Sequence, residues 1–226
     1  MADKLKAIIF DLDGTLIDSN DLHAKAWQEA FEHYGVHLDY ETVRLQIGKG
    51  GDLLVPDLLG AKEMLAFGEE IEAFRKKHFR ENFRDRIEPF EGIAESFTAL
   101  REKSVRIVVA SSSNEKDLSY YLDTLGVNDL IDDATSADDV DMSKPAPHVF
   151  AAALEKLGTE PATTLVVGDT PYDILAAHRN SLPIAAVRCG GFPERTLEKA
   201  ELIFDDVPEI VRNLGRVETM MRDLEE

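Results

Sequence analysis

Cysteine is nearly absent: Cys189 is the one thiol among 226 residues. A single thiol forms no intrachain disulfide, so the cytoplasm is the expected compartment and the core must carry the fold. Cys189 follows an apolar run and reads as a core residue rather than a catalytic thiol. Basic residues are outnumbered, 25 Lys and Arg against 44 Asp and Glu. The resulting net charge of −19 argues against nucleic acid or an anionic membrane surface as a partner held by bulk attraction. An anionic substrate would need local positive groups or a metal to capture it against the overall field. No apolar stretch approaches the roughly 20 residues of a membrane span. Residues 1–4 lead into the first apolar run without the basic segment of a leader, so a soluble protein is expected. Internal repeats, low-complexity tracts and long linkers are also lacking. What remains, 44% hydrophobic and 31% charged residues, is the balance of a globular chain with one sizeable core.

The most informative stretch is residues 5–16, where the apolar run Ala7-Ile8-Ile9-Phe10 stops on Asp11-Leu12-Asp13-Gly14-Thr15. The run reads as a buried strand. Side chains alternate along a strand, so the two acids share a face, with Asp11 on the strand end and Asp13 on the turn beginning at Gly14. In open parallel sheets, ligands bind outside the carboxyl ends of the strands, which is where Asp11 would sit.

Asp18 and Ser19 read as helix caps, and Leu22, Ala26, Trp27, Ala30 and Phe31 follow helical spacing up to the stop at Gly35. Further helices are expected over 40–47, 52–59 and 62–83, the second shortened or kinked by Pro56. Between about residues 18 and 86 no strand is expected. Trp27 and the Phe residues of this block would pack between its helices. Strands and helices then alternate: helix 92–103, strand 105–110, helix 116–125, a short apolar piece at Leu130-Ile131, helix 148–157, strand 164–167, helix to about Asn180, strands 183–187 and 202–204, and a closing helix from Pro208. The acidic run of Asp132, Asp133, Asp138 and Asp139 reads as solvated loop, and His178 as surface. Alternation of this kind argues an α/β fold, a parallel sheet covered on both faces, with the helical block inserted near a strand end where it would roof a site.

Three strands thus end in polar residues suited to phosphate chemistry: Asp11 with Asp13, Ser111, and Asp169 with Asp173. Lys144 adds a positive charge from a Pro-flanked loop. These four motifs, in this order and each after a suitable local pattern, resemble the haloacid dehalogenase superfamily of hydrolases. The likeness is to its helical-cap subgroup, which includes phosphoglycolate phosphatases and β-phosphoglucomutases, and it covers essentially the whole chain. It implies a Rossmann-like parallel sheet core (1–17 and 87–226) with an inserted all-helical cap domain (18–86).

The resemblance also implies a Mg²⁺-dependent phosphatase acting on a small phosphomonoester through a covalent aspartyl-phosphate. Asp11 matches the nucleophile and Asp13 the acid/base. Ser111 and Lys144 match groups that bind and neutralise the phosphoryl oxygens. Asp11, the backbone carbonyl of Asp13, and Asp169 match the metal ligands, with Asp173 one helical turn on. Such roles have independent physical reasons. A fixed carboxylate splits the displacement in two, and a hard cation with oxygen ligands lets two anions approach. The backbone N–H groups of Ser112 and Ser113 would assist if a helix begins there. His23 and Lys49 have two readings, as exposed loop residues or as substrate-binding groups facing the site from the cap.

The rival activity is a sugar phosphomutase resembling β-phosphoglucomutase. Such relatives depart from Gly-Thr after the second aspartate and carry an acid where Gly168 stands, so Gly14-Thr15 and Gly168 favour hydrolysis. Asp13 disfavours dehalogenation and phosphonate cleavage. A non-catalytic scaffold would have lost one of Asp11, Asp13, Ser111, Lys144 or Asp169, and none is missing. Phosphoglycolate, hexose phosphates and nucleotides are all compatible with the motifs.

Overall fold

Four consecutive apolar residues with no accessible surface, Ala7–Phe10, form the strand β1 from which the rest of the sheet is built. The structure is a computed structural model and describes residues 5–224. β2 (Ile17–Asp18) follows, then the helices α1 (Asn20–His33), α2 (Tyr40–Arg44), α3 (Gly51–Leu58) and α4 (Ala61–Asn82). β3 (Glu88–Pro89), α5 (Ile93–Glu102), β4 (Arg106–Ala110), α6 (Glu115–Leu125) and β5 (Asp133–Thr135) come next. The chain closes with α7 (His148–Leu157), β6 (Thr164–Gly168), α8 (Pro171–Arg179), β7 (Ile184–Val187), β8 (Leu202–Phe204), α9 (Val207–Arg212) and α10 (Leu214–Asp223).

Six strands make one parallel sheet in the order β5-β4-β1-β6-β7-β8. β1 lies between β4 and β6, with Ala7 opposite both Arg106 and Thr164. Strand alternation sends Ile8, Phe10, Ile107 and Val109 to one face, where Phe97 of α5, Leu118 of α6, Ile210 of α9 and Val217 of α10 cover them. Ala7, Ile9, Val108 and Val166 point to the other, against Phe150 and Ala153 of α7 and Ile174 of α8. Both faces are covered, so β1 is apolar at every position instead of at alternate ones. Each fully buried large side chain contributes about 1.5–3 kcal/mol. The helices α1–α4 have their own cluster around Trp27, Phe31, Val43, Leu54 and Ile71. This is the α/β sheet with a helical insertion expected from the sequence. No helix among the described residues is long and apolar enough to cross a membrane.

Several local expectations need correction. Asp18 does not cap a helix: it lies in β2, where Ile17 and Asp18 pair antiparallel with Pro89 and Glu88. Ser19 precedes α1 without a capping bond, because its hydroxyl donates to Asp13 instead. The helix expected over 40–47 stops at Arg44, after which Gln46 and Ile47 bond three residues back in a tight turn toward Gly48. α4 is kinked at Phe67, immediately before Gly68, the weakest helix former in the segment. The edge strand is Asp133–Thr135, while Leu130 and Ile131 pack half-buried against the core. The acidic run is tied down by hydrogen bonds, not merely solvated. Asp138 accepts from the Glu115 N–H at 2.9 Å, and Asp139 closes a capping box with Ser136.

Asp132 is the clearest of these ties. Its carboxylate accepts from the Ile107 N–H at 2.8 Å and from Arg101 at 2.6 Å, and it lies 3.5 Å from Arg106. Partial burial works against its ionisation, but the Ile107 N–H and the two guanidiniums outweigh it and hold the carboxyl below its ordinary range. A depressed carboxyl stabilises the fold above its unfolded pKa, and that contribution is lost as pH falls through the folded one. Asp132→Asn should therefore cost about 1–3 kcal/mol at about pH 7, and less at about pH 3, since the native carboxyl's contribution fades as the pH falls toward its lowered range. Urea unfolding at both pH values measures the difference; an equal loss at the two would assign the effect to packing.

Candidate active site

The register of the sheet brings three strand ends together. Asp11 follows β1, Ser111 follows β4 and Asp169 follows β6, at the carboxyl edge of three neighbouring strands. Asp11 continues the ladder by donating its N–H to the Val167 carbonyl at 2.8 Å, and it is 3% exposed. Leu12 turns into the core, and Gly14, at φ +79°, takes the left-handed conformation that lets its N–H reach the Ile17 carbonyl at 2.9 Å. That turn leaves Asp13 beside Asp11 but in separate surroundings.

Lys144, on the loop between β5 and α7, inserts into the carboxylates from a cis Lys144–Pro145 peptide. Its ammonium bonds Asp11 Oδ1 and, at 2.7 Å, Asp173 Oδ1. The other Asp173 oxygen accepts from Thr170 Oγ1 at 2.6 Å and the Thr170 N–H at 3.0 Å, a capping box that starts α8. Asp169 accepts from Asn20 Nδ2 at 2.7 Å and Thr15 Oγ1 at 3.3 Å. Asp11, Asp169 and Asp173 offer oxygens that all lie within 4.8 Å of one another, each residue buried.

Three buried carboxylates thus cluster about one ammonium, which bonds two of them, and the charge imbalance shows in the acidities of Asp11 and Asp169. Burial, aided by Asp173 and Asp169, pushes Asp11 well above the usual carboxylate range despite Lys144. Burial and Asp173 push Asp169 up to about 7. Burial disfavours a charged Lys144, but Asp11 and Asp173 outweigh it and hold the ammonium protonated. A second cation with a preference for oxygen donors would balance the cluster, and the all-carboxylate set fits a hard divalent ion such as Mg²⁺. Gly14 and Gly190 press against Asp169 so closely that a Cβ at either would overlap its carboxylate. The Asp13 side chain stands outside this cluster.

Asp13 accepts from Ser19 Oγ at 2.6 Å and lies 2.9 Å from His23 Nε2. The Arg75 guanidinium contacts His23 Nδ1. Arginine only donates, so Nδ1 accepts and the proton sits on Nε2, facing Asp13. Burial would raise the Asp13 pKa, but His23 and Ser19 outweigh it and bring it down to about 2. Burial lowers the pKa of His23 against the pull of Asp13. His23 is also stacked on Phe79, ring centroids 4.1 Å apart.

A cleft of about 320 Å³ opens above these groups, between the sheet edge and the helical segment. Asp11, Asp13 and Lys144 reach its surface, as do Ser112, Ser113, His23, Lys49 and Arg75. Ser111 does not line it: fully buried, its hydroxyl accepts from the Ser113 N–H at 3.0 Å. Ser112 Oγ is buried with no hydrogen-bond partner among the described residues, and Ser113 Oγ lies 3.5 Å from Asp13 Oδ2. α6 begins only at Glu115, so Ser112 and Ser113 belong to the preceding loop and not to a helix start. Neither His23 nor Lys49 is an exposed loop residue. Lys49 is ion-paired with Asp57 at 2.5 Å and lies 4.8 Å from the centre of the Tyr172 ring.

Asn20 and Arg75 were not anticipated. Asn20 is hidden in the polar run Asp18-Ser19-Asn20-Asp21, which has the look of a helix start. Arg75 carries a legible signal, since with Ile71 and Phe79 it occupies the inward stripe of α4 at four-residue steps. Cys189, half-buried against the main core, donates to the Gly14 carbonyl at 3.4 Å, and burial pushes its thiol up to about 12. His178 is partly exposed and bonds Glu201. Trp27 is core.

The sequence profile of the haloacid dehalogenase-like hydrolases matches residues 8–187. The chain belongs to this family. Among haloacid dehalogenase-like relatives, the phosphoglycolate phosphatase of Aquifex aeolicus is 36% identical over 177 residues, 77% of this chain and 81% of that one. The pyrophosphatase PpaX of Oceanobacillus iheyensis is 27% identical over 93% of this chain and 97% of its own length. A hydrolase from Pseudomonas syringae has a solved structure that superposes with a TM-score of 0.85 at 26% identity, covering 94% of this chain and 99% of that one. The enzyme class expected from the motifs, a phosphoric monoester hydrolase, agrees with these relatives.

Among the described residues, Lys144 is the one cation in contact with two of the buried carboxylates. Removing one partner of a buried pair typically costs about 3–5 kcal/mol, because the remaining charge stays buried. Lys144→Ala should lose about that much unfolding free energy in EDTA. Added Mg²⁺ should return part of it if the cluster holds a divalent ion. Urea titrations with and without metal measure both, and a loss below about 1 kcal/mol would show that the carboxylates accommodate their own charge.

Proposed function

We propose that the protein is a Mg²⁺-dependent phosphatase that hydrolyses a small phosphomonoester through an aspartyl-phosphate on Asp11. One observation carries this reading: two carboxylates two residues apart open on the same cleft with opposite electrostatic surroundings. Asp11 is held in position by Lys144, and Asp13 is held by Ser19 and His23. Without a bound cation or substrate those surroundings favour a neutral Asp11 and an ionised Asp13. With Lys144 and a divalent ion beside it, Asp11 would be held ionised for attack, and the approach of an anionic phosphoryl group would favour the protonated Asp13 that proton transfer needs.

In the first step an Asp11 oxygen attacks phosphorus, a P–O bond to the carboxylate forms and the ester P–O bond breaks. The leaving alkoxide takes a proton from Asp13, which must therefore be protonated when substrate is bound. His23 Nε2–H and the Ser19 hydroxyl both face Asp13 Oδ1, which leaves Oδ2 to carry the proton taken up from solvent. In the second step the Asp13 carboxylate removes a proton from water as its oxygen attacks phosphorus. The acyl-phosphate bond breaks, Asp11 is regenerated and inorganic phosphate leaves. Lys144 opposes negative charge at Asp11 throughout, and Ser112 Oγ, a donor without a partner in the cleft, suits a phosphoryl oxygen. Asp11, Asp169 and the Asp13 carbonyl would hold Mg²⁺, with Asp173 beside them. When bound, the ion neutralises the phosphoryl oxygens. Residues 1–17 and 87–226 would form the catalytic core and 18–86 the cap that excludes bulk water.

Asp11→Asn keeps the shape and removes the nucleophilic charge, so phosphate release from a panel of phosphomonoesters should fall to near background. EDTA should abolish wild-type turnover and Mg²⁺ restore it. Acid quenching with labelled substrate should leave label on the wild-type protein and none on Asp11→Asn. β-Glucose 1-phosphate should yield free phosphate, whereas formation of glucose 6-phosphate would favour the mutase. Wild-type turnover by a folded Asp11→Asn protein would overturn the mechanism.

A further inference from the structure

Lys144 anchors Asp11 and Asp173; Asp169 is anchored by a different set of contacts that leads into the helical segment. Asn20, 2% exposed, donates through Nδ2 both to Asp169 Oδ2 at 2.7 Å and to the Gly190 carbonyl at 2.9 Å. Its Oδ1 is buried and has no partner among the described residues. The orientation of this amide therefore depends on two acceptors, Asp169 and Gly190. The Gly190 carbonyl in turn accepts from Arg44 at the end of α2. Arg44 is 8% exposed, its Nε bonds Asp21 at 2.6 Å, and its guanidinium lies 5.0 Å from the centre of the Phe192 ring. The guanidinium thus bridges Asp21 through Nε and the Gly190 carbonyl through Nη2, which fixes its direction. Gly190 itself is packed on the Asp169 carboxylate so tightly that no side chain fits between them.

We propose that Arg44 is a positioning residue for Asp169. It pins the Gly190 carbonyl, the pinned carbonyl orients the Asn20 amide, and the amide sets the direction of the Asp169 oxygen offered to a metal. Docking of the helical segment on the Gly190 loop and readiness of the metal site are then one event, and the segment acts on catalysis without touching substrate through Arg44. This inference rests on the reading of Asp169 as a Mg²⁺ ligand. A second contact of the same segment serves as an internal control. Tyr172 of α8 donates to the Leu45 carbonyl at 2.6 Å, one residue from Arg44, and joins helical segment and core without involving Gly190.

The test is isothermal titration of the full-length protein with Mg²⁺ in the absence of substrate, for wild type, Arg44→Met, Arg44→Lys and Tyr172→Phe. Thermal unfolding checks that each variant is folded. Groups behind the ligands typically change metal affinity by 10- to 100-fold. Arg44→Met should weaken Mg²⁺ binding about tenfold, the lower end of that range. Arg44→Lys, which reaches Gly190 or Asp21 but cannot bridge them, should recover part. Tyr172→Phe should bind as wild type does. In turnover assays, the Mg²⁺ concentration for half activity should rise in Arg44→Met while KM for substrate at saturating metal holds. If Arg44→Met does not fold, the milder Arg44→Gln carries the same expectation. Unchanged Mg²⁺ affinity in a folded Arg44→Met or Arg44→Gln overturns the relay, as does an equal weakening in Tyr172→Phe. Absence of Mg²⁺ binding by the wild type overturns the metal reading and the relay with it, a result distinct from binding that the variants leave untouched.

Discussion

One ammonium among three buried carboxylates is the constraint on which the rest of the structure depends. Such a cluster persists only if its carboxylates are held by donors, and the fold supplies those donors from well-separated parts of the sequence. Lys144 comes from the loop before α7, Thr170 from the start of α8, Thr15 and Asn20 from the turn and helix after β1. The sheet order is what makes the meeting feasible. With β1 between β4 and β6, the residues that follow each strand emerge side by side. Of the three carboxylates only Asp11 lines the cleft, while Asp169 and Asp173 have no accessible surface.

Asp11 and Asp13 illustrate how little sequence distance is needed to separate two environments. Leu12 between them is buried in the core, and the Gly14 turn swings Asp13 away from Lys144 and toward α1. One carboxyl is pushed up by burial among its own kind, while the other is brought down by an imidazole and a hydroxyl. A strand that ran straight through both acids would have placed them in the same field and left them chemically alike.

What was legible in the sequence follows from burial. β1, β4 and β6 are covered on both faces and so appear as unbroken apolar runs, and the residues that terminate them stand out as polar. β5 is an edge strand of three residues, one of them an exposed acid, and nothing in its composition separates it from a loop. Asp18 and Ser19 have the chemistry of helix caps, but Asp18 pairs across β2 and β3 and Ser19 turns to Asp13, tertiary partners that local propensity does not register. Asn20 was obscured by the same polar run. Arg75 shows the converse: a charged residue in an apolar stripe is visible as an anomaly, though its partner His23 lies 52 positions away and only the fold supplies it. That Asp11, Ser111 and Asp169 end strands was readable; that those three strands are neighbours comes from the sheet order. That Ser112 and Ser113 reach the cleft while Ser111 does not depends on the loop before α6, whose path has no periodic signature.

The short pairing of β2 with β3 has a further consequence. Ile17 and Asp18 lie directly against Pro89 and Glu88, so the chain leaves the sheet layer and returns to it at one spot. To the six-stranded sheet, all four intervening helices amount to a single surface excursion with adjacent ends. Such an excursion can change in length while β1 and β4 keep their register, provided the two-residue junction and the contacts of Asn20, His23 and Arg44 with the sheet side are kept. The architecture therefore divides the inserted helices into two kinds of surface: one fixed where Asn20, His23 and Arg44 meet the strand ends, and one that the sheet leaves unconstrained.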